Sequence, residues 1–163
     1  IHFGIESGSQ RVLGDVYKKA IRLEDISGVI HEARKAGVHT LGFFMLGAPS
    51  ETIEEIESTI RLSRSLALDE ATFSITTPLI GTYLYEMVKG DNKYTLSEDY
   101  ADFNYYRKRA FEGDGLSHRK LRYYQKKALL LFYIDPKRWR CVLIHLISMK
   151  GFIKLFNKLR RFI

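Results

Sequence analysis

Three short segments gather the side chains best able to bind a ligand: Glu6-Ser7-Gly8-Ser9, Gly47-Ala48-Pro49-Ser50-Glu51 and Thr76-Thr77-Pro78. Carboxylates and hydroxyls accept hydrogen bonds, and glycine lets backbone and ligand approach closely. The same residue types also make turns and helix caps, so from pattern alone the binding reading and the structural reading stand level. The five histidines, at 2, 31, 39, 118 and 145, are scattered with no pair at helical ligand spacing, and none is assigned to catalysis. Cys141 is the one cysteine. That count excludes an internal disulfide framework and a cluster held by the chain's own cysteines, and no Cys/His group has zinc-finger spacing. No catalytic residue and no metal ligand is therefore named.

These segments need elements to place them. The chain has 163 residues, 45% of them hydrophobic, enough to bury a core and too many for wholesale disorder. Ile1 to Ile5 reads as a strand, followed by a helical segment around Gln10 to Lys19. Leu23, Ile26, Ile30 and Ala33 fall at helical spacing, with Glu24 and Asp25 in the first turn and Gly37 placed to end the helix. Thr40 to Leu46 is a mostly apolar strand, as expected if both its faces are covered. Thr52 and Glu55 form the signature of a capping box, and Ile53, Ile56 and Ile60 supply the buried stripe of the helix it starts. Ala71 to Thr76 is the third strand. Alternating strands and helices predict a parallel sheet, whose C-terminal ends share one edge. All three polar segments lie at that edge, where ligands bind in open sheets and barrels alike.

The loops are more specific than this pattern requires. Gly4-Ile5-Glu6-Ser7-Gly8-Ser9-Gln10, Gly42 through Thr52, and Phe73 through Pro78 with Gly81-Thr82 together resemble the later strands of the radical S-adenosylmethionine enzymes. The branch most similar carries a cobalamin-binding domain upstream, as in the anaerobic magnesium-protoporphyrin ester cyclase type. The resemblance implies an α/β fold: a partial (β/α) barrel fragment holding the later strands over residues 1–90, then a basic, aromatic-rich helical extension over 91–163. It implies that Glu6 reaches the ribose of S-adenosylmethionine, the alternative being a charge partner for the dipole of the following helix, with Ser7 beside it as a turn residue. Gly42 and Gly47 would admit the adenine, Phe44 or Met45 would offer an apolar face or else belong to the core, and Glu51 would close the motif or simply serve as a helix N-terminal charge. Thr76 and Pro78 would border the adenine from the third strand, mostly through backbone. The function implied is reductive cleavage of S-adenosylmethionine and radical-based modification of a small or lipid-like substrate. The family's [4Fe–4S] cluster, and the cobalamin of the branch, would be bound by parts of a longer enzyme, so this chain alone is expected to be inactive. Its start, in what reads as mid-strand, fits a C-terminal portion.

Charge divides the chain. Residues 1–90 carry 9 Lys/Arg and 12 Asp/Glu, whereas residues 91–163 carry 17 and 7. Tyr94, Tyr100, Phe103, Tyr105 and Tyr106 form an aromatic stretch that either touches substrate or packs as a lid. Ser117 is placed to cap a helix bearing Leu121, Tyr124, Ala128 and Leu131, and Asp135-Pro136 to start another. Residues 152–163 make a basic amphipathic helix with three readings: packing on the missing part of the enzyme, peripheral contact with an anionic membrane, or nucleic-acid binding, for which no module is present. The longest apolar run, Ala128 to Ile134, is too short to cross a bilayer. A cytoplasmic protein, with or without membrane association, is the expectation. The competing class is a non-catalytic membrane-surface or interaction module on a half-barrel.

Overall fold

The computed structural model describes residues 1–103, 109–113 and 115–138. Strands β1 (His2–Glu6), β2 (Leu41–Leu46) and β3 (Glu70–Ile75) form one parallel sheet in the order β1-β2-β3. Helices α1 (Leu23–Lys35) and α2 (Ile53–Ser65) make the two crossovers. Gly37, at φ +72°, follows the last turn of α1 as its spacing predicts. Thr52 and Glu55 satisfy each other's backbone N–H groups at the start of α2, the reciprocal capping read from the sequence.

Helices α1 and α2 pack on one face of this sheet, joined there by α4 (His118–Tyr133). Phe44 and Leu46 of β2 and Ala71, Phe73 and Ile75 of β3 are buried against Ile26 and Ile30, Ile56 and Ile60, and Leu121, Ala128 and Phe132. Each large apolar side chain so buried contributes about 1.5–3 kcal/mol. The alternate positions Leu41, Phe43 and Met45, with Glu70, Thr72 and Ser74, lie on the other face and are partly open. Both faces of β2 were expected to be covered; among the described residues only one is. The strand is apolar at every position but Gly42, yet only every second side chain meets a helix.

The two edges of the sheet also differ. Gln125 of α4 donates through Nε2 to the carbonyl of Phe73 at 2.7 Å, and the Tyr133 hydroxyl donates to that of Ala71 at 3.3 Å, so α4 covers the outer side of β3. The outer side of β1 pairs with no strand among the described residues. A groove of about 290 Å³ runs there between β1 and α1, lined by His2, Phe3, Ile21, Asp25 and Val29 among others.

Two expectations change. The helical segment after β1 is a π-helical turn, Val12–Val16, that ends as Lys18 takes φ +52°. The extension is not purely helical: after α3 (Tyr83–Gly90), strands β4 (Thr95–Leu96) and β5 (Phe111–Glu112) pair antiparallel. Of the aromatic stretch, Tyr94 packs edge-on to Phe111 at 5.7 Å and Phe103 against Tyr85 at 6.0 Å, while Tyr105 and Tyr106 lie outside the described residues. Asp135 precedes a short 3₁₀ turn, Pro136–Arg138; the helix expected beyond it, Cys141 and residues 152–163 lie outside the described residues. No helix among the described residues is long and apolar enough to cross a membrane.

Candidate functional site

Parallel strands bring the three polar loops to one edge, and the structure shows how each is held. At the end of β1 the pairing with β2 slips between Gly4 and Glu6, and Glu6 adopts φ +68°. A non-glycine residue in this region is uncommon and costs backbone strain. Its Oε1 pairs with the Lys19 ammonium at 2.8 Å, which also donates to the Gly4 carbonyl at 2.9 Å. Oε2 has no protein partner among the described residues. Ser7 is buried and turned away from the edge: its hydroxyl lies 3.3 Å from that of Thr59 on α2 and accepts the Ser9 N–H at 3.1 Å. Gly8 lies so close to α2 that a Cβ would stand 2.6 Å from the Ser58 carbonyl. Ser7 is thus a turn residue that fastens the loop to α2.

The second loop is built around two carboxylates in opposite surroundings. Glu55 accepts Ser9 Oγ at 2.7 Å and the Arg11 guanidinium through both oxygens, at 2.8 and 2.7 Å. The Arg11 hydrogen bonds hold its carboxyl well below the usual range, at about 2. Glu51 is buried, 3% exposed, and does not act as an exposed helix charge. It folds back into its own loop, where Oε2 accepts the N–H groups of Gly47 at 2.6 Å and Ala48 at 3.0 Å. Its Oε1 is buried without a hydrogen-bond partner. Burial pushes Glu51 up to about 7, opposed by those two N–H groups and by the charge of Arg109. Gly47 itself sits at φ +80° against Leu121, where no side chain fits.

Two expected contacts move into the core. Gly42 makes room for Leu68 and Phe44, whose atoms would lie 2.6 and 3.0 Å from a Cβ there. Phe44 is 1% exposed and stacks on Phe73 at 5.1 Å. Neither offers a surface to a ligand, because both fall on the helix-covered phase of β2. Met45 falls on the open phase. So does Phe43, 37% exposed and edge-on to His2 at 5.5 Å, a residue that sequence reasoning missed because adjacent phenylalanines carry no sign of phase.

Thr76 and Pro78 are buried at the end of β3, and the Thr76 N–H donates to the Leu46 carbonyl at 2.8 Å. The Thr76 hydroxyl lies 2.7 Å from that of Tyr17, carried there by the π-helical turn. Burial, then the charge of Glu51, raises the Tyr17 phenol well above its ordinary value. Tyr17 was missed as well. Wide turns of this kind recur at functional sites, but one residue of extra helical slack leaves no mark in hydrophobic periodicity.

The edge therefore offers, among the described residues, a carboxylate oxygen on Glu6, a buried acceptor on Glu51, the Tyr17–Thr76 pair and an apolar flank at Met45, while the Phe43 ring lies towards His2 at the other end of the strands. Such a set can hydrogen-bond a polyol or a heteroaromatic amine beside an apolar surface. Among the described residues no group of three or more His, Cys, Asp or Glu is arranged to hold a metal ion.

Fold and edge define an α/β protein with a one-sided parallel sheet and a ligand-ready rim. Compared with known proteins, the chain matches no family model. It is 35% identical over 145 residues to an uncharacterized methyltransferase of Pyrococcus horikoshii, covering 84% of this chain and 29% of that protein. Over 90 residues it is 37% identical to the cytidylyl-2-hydroxyethylphosphonate methyltransferase of Streptomyces wedmorensis, covering 52% of this chain and 17% of the relative. Over 166 residues it is 28% identical to the anaerobic magnesium-protoporphyrin IX monomethyl ester cyclase of Cereibacter sphaeroides, covering 97% of this chain and 26% of the relative. The chain thus spans less than a third of the length of each of these proteins.

Proposed function

We propose that this chain is the nucleoside-binding, C-terminal part of a radical S-adenosylmethionine enzyme's partial barrel. The observation that carries the reading is the convergence of Glu6, Glu51 and Thr76 on one rim of a sheet whose other face, among the described residues, is partly open. A barrel wall has that form, with helices outside and side chains such as Phe43, Met45 and Ser74 facing inward. The uncovered edge of β1 is where preceding strands would add, while α4 closes the far side. The similarity to two methyltransferases and to a cyclase of the type the loops resemble supports the same reading.

The residues present fit the nucleoside end of the cofactor. In this reading Glu6 Oε2 would accept from ribose hydroxyls, and Met45 would flank a flat base. Glu51 shapes the loop between them. When bound, S-adenosylmethionine supplies the activated methyl or deoxyadenosyl carbon; this chain's share is to bind it, orient it and keep water away. The residues do not fit the iron–sulfur cluster: one cysteine cannot hold it, and its ligands belong to another part of the enzyme. No residue here is assigned to cobalamin, and the substrate to be methylated or cyclised is not specified by this chain.

Titration of the ¹⁵N-labelled chain with S-adenosylmethionine tests the reading. The amide signals of Gly47, Ala48 and Thr76 are expected to shift together. Glu6→Ala, which removes a charge-assisted contact, is expected to weaken binding about tenfold or more. Absence of any shift at these amides overturns the reading, and an unchanged affinity in the variant removes Glu6 from it.

A further inference from the structure

Arg109 is the largest fully buried side chain in the described structure, 2% exposed, yet it belongs to the strongly basic second part of the chain. Its guanidinium lies over the Phe111 ring at 3.9 Å. Nη1 donates to the Leu116 carbonyl at 2.8 Å, and Nη2 crosses 62 positions of sequence to the Gly47 carbonyl at 2.9 Å. Its backbone N–H donates to His118 Nδ1 at 3.2 Å, at the start of α4. Gly47 is therefore gripped on both sides. Glu51 accepts from its N–H and Arg109 donates to its carbonyl, while Leu121 fills the space beside its α-carbon.

We propose that Arg109 is a positioning residue through which the β4–β5 ribbon sets the Gly47–Glu51 loop, and so makes nucleoside affinity depend on the extension. The proposal rests on the nucleoside-binding reading of that loop. A buried guanidinium is costly unless its donors are used, and here its planar fork spans two carbonyls from distant segments. A lysine places one point charge and cannot span both in that geometry. The grip also fixes which way the Gly47 peptides face. Those peptides lie directly beyond β2, where the loop meets the open face carrying Met45 and Phe43. A disturbance beside β5 can reach the rim through this side chain.

Arg138 provides an internal comparison. It too is a buried arginine donating to carbonyls, those of Ser63, Arg64 and Leu66, but at the C-terminal end of α2, remote from the rim. Both arginines serve packing; only Arg109 is predicted to govern the loop.

The test uses the full chain with Arg109→Lys, Arg109→Gln and, for comparison, Arg138→Lys. Three quantities are read: thermal stability, amide hydrogen exchange at Gly47 and Ala48, and the dissociation constant for S-adenosylmethionine. All variants are expected to be destabilised. Only the Arg109 variants are expected to speed exchange at Gly47 and Ala48, and to weaken S-adenosylmethionine by roughly tenfold. The carboxyl signal of Glu51 is expected to titrate at higher pH in Arg109→Gln, because a nearby cation is gone, and to stay in place in Arg138→Lys. If Arg109→Gln does not fold, Arg109→Lys, which keeps the charge but not the fork, decides on exchange and affinity. Loop exchange and affinity in Arg109→Lys no different from Arg138→Lys overturn the proposal. Faster loop exchange in a chain whose unmutated form shows no S-adenosylmethionine-induced shift overturns the nucleoside reading and the coupling with it, leaving a purely structural clamp.

Discussion

Glu51 and Glu55 stand four residues apart and are driven in opposite directions by their surroundings. Glu55 gains Arg11 and a helix start; Glu51 loses water. For Glu51, folding raises the carboxyl from 4.5 to about 7, so the folded chain holds the proton more tightly than the unfolded one. Its contribution is fully favourable below the ordinary carboxylate range and is lost as pH rises from about 4.5 to 7. A shift of this size corresponds to about 3 kcal/mol. Glu55 acts the other way, its stabilisation disappearing as pH falls from 4.5 towards about 2, so the two windows do not overlap. Urea unfolding at pH 5, 6, 7 and 8 should therefore show a decline in stability that Glu51→Gln flattens. An equal slope in the variant would place the cost elsewhere. That a carboxylate is kept at such a cost follows from its geometry, since it is what holds the Gly47 and Ala48 N–H groups in place.

Among the elements, those with a repeating pattern were legible and those made by a single residue or a distant pair were not. Ile53, Ile56 and Ile60 with the Thr52–Glu55 box defined α2 to within its own capping bonds. The rim followed from strand order alone, because parallel strands end together. By contrast β4 and β5 are two residues long, too short for alternation to show, and the grip of Arg109 on Gly47 is invisible in a local window. Phe44 proved a core residue and Phe43 the exposed one because an unbroken apolar strand does not say which face meets the helices. The stripe on α4 differs for a related reason. Leu121 and Ala128 are buried as expected, but Gln125 and Phe132 complete the buried face, with Tyr124 and Leu131 at its margin. A buried glutamine in that position is explained by the carbonyl it serves: Phe73, on the outer side of β3, has no strand beyond it among the described residues. Gln125→Leu should accordingly destabilise the chain by about 1–3 kcal/mol despite adding apolar surface to the core. Hydrogen exchange should rise first in β3; an equally stable leucine variant would show that the sheet edge tolerates an unserved carbonyl.

At the scale of the whole molecule, three asymmetries point the same way. Among the described residues, the sheet is closed by α4 on one side and open at β1 on the other. One face, among the described residues, carries α1, α2 and α4 while the other shows Phe43, Met45 and Ser74, partly open. The first ninety residues are mildly acidic and the remainder strongly basic. A wall open on one face and one edge suits a larger enclosure, and relatives more than three times its length have the chain to complete one. Within such an enclosure the division of labour is set by the cysteine count. A cluster held by three or four thiolates needs more than Cys141 can give, whereas the proposed nucleoside rim would use carboxylates, hydroxyls and backbone that are all present. Anaerobic reconstitution of this chain with iron and sulfide is therefore expected to leave sub-stoichiometric iron after gel filtration. S-adenosylmethionine should still shift the rim amides in the same sample. A stoichiometric, chromophoric cluster on the isolated chain would mean that other ligands assemble one, and would end the assignment of this part to nucleoside binding alone.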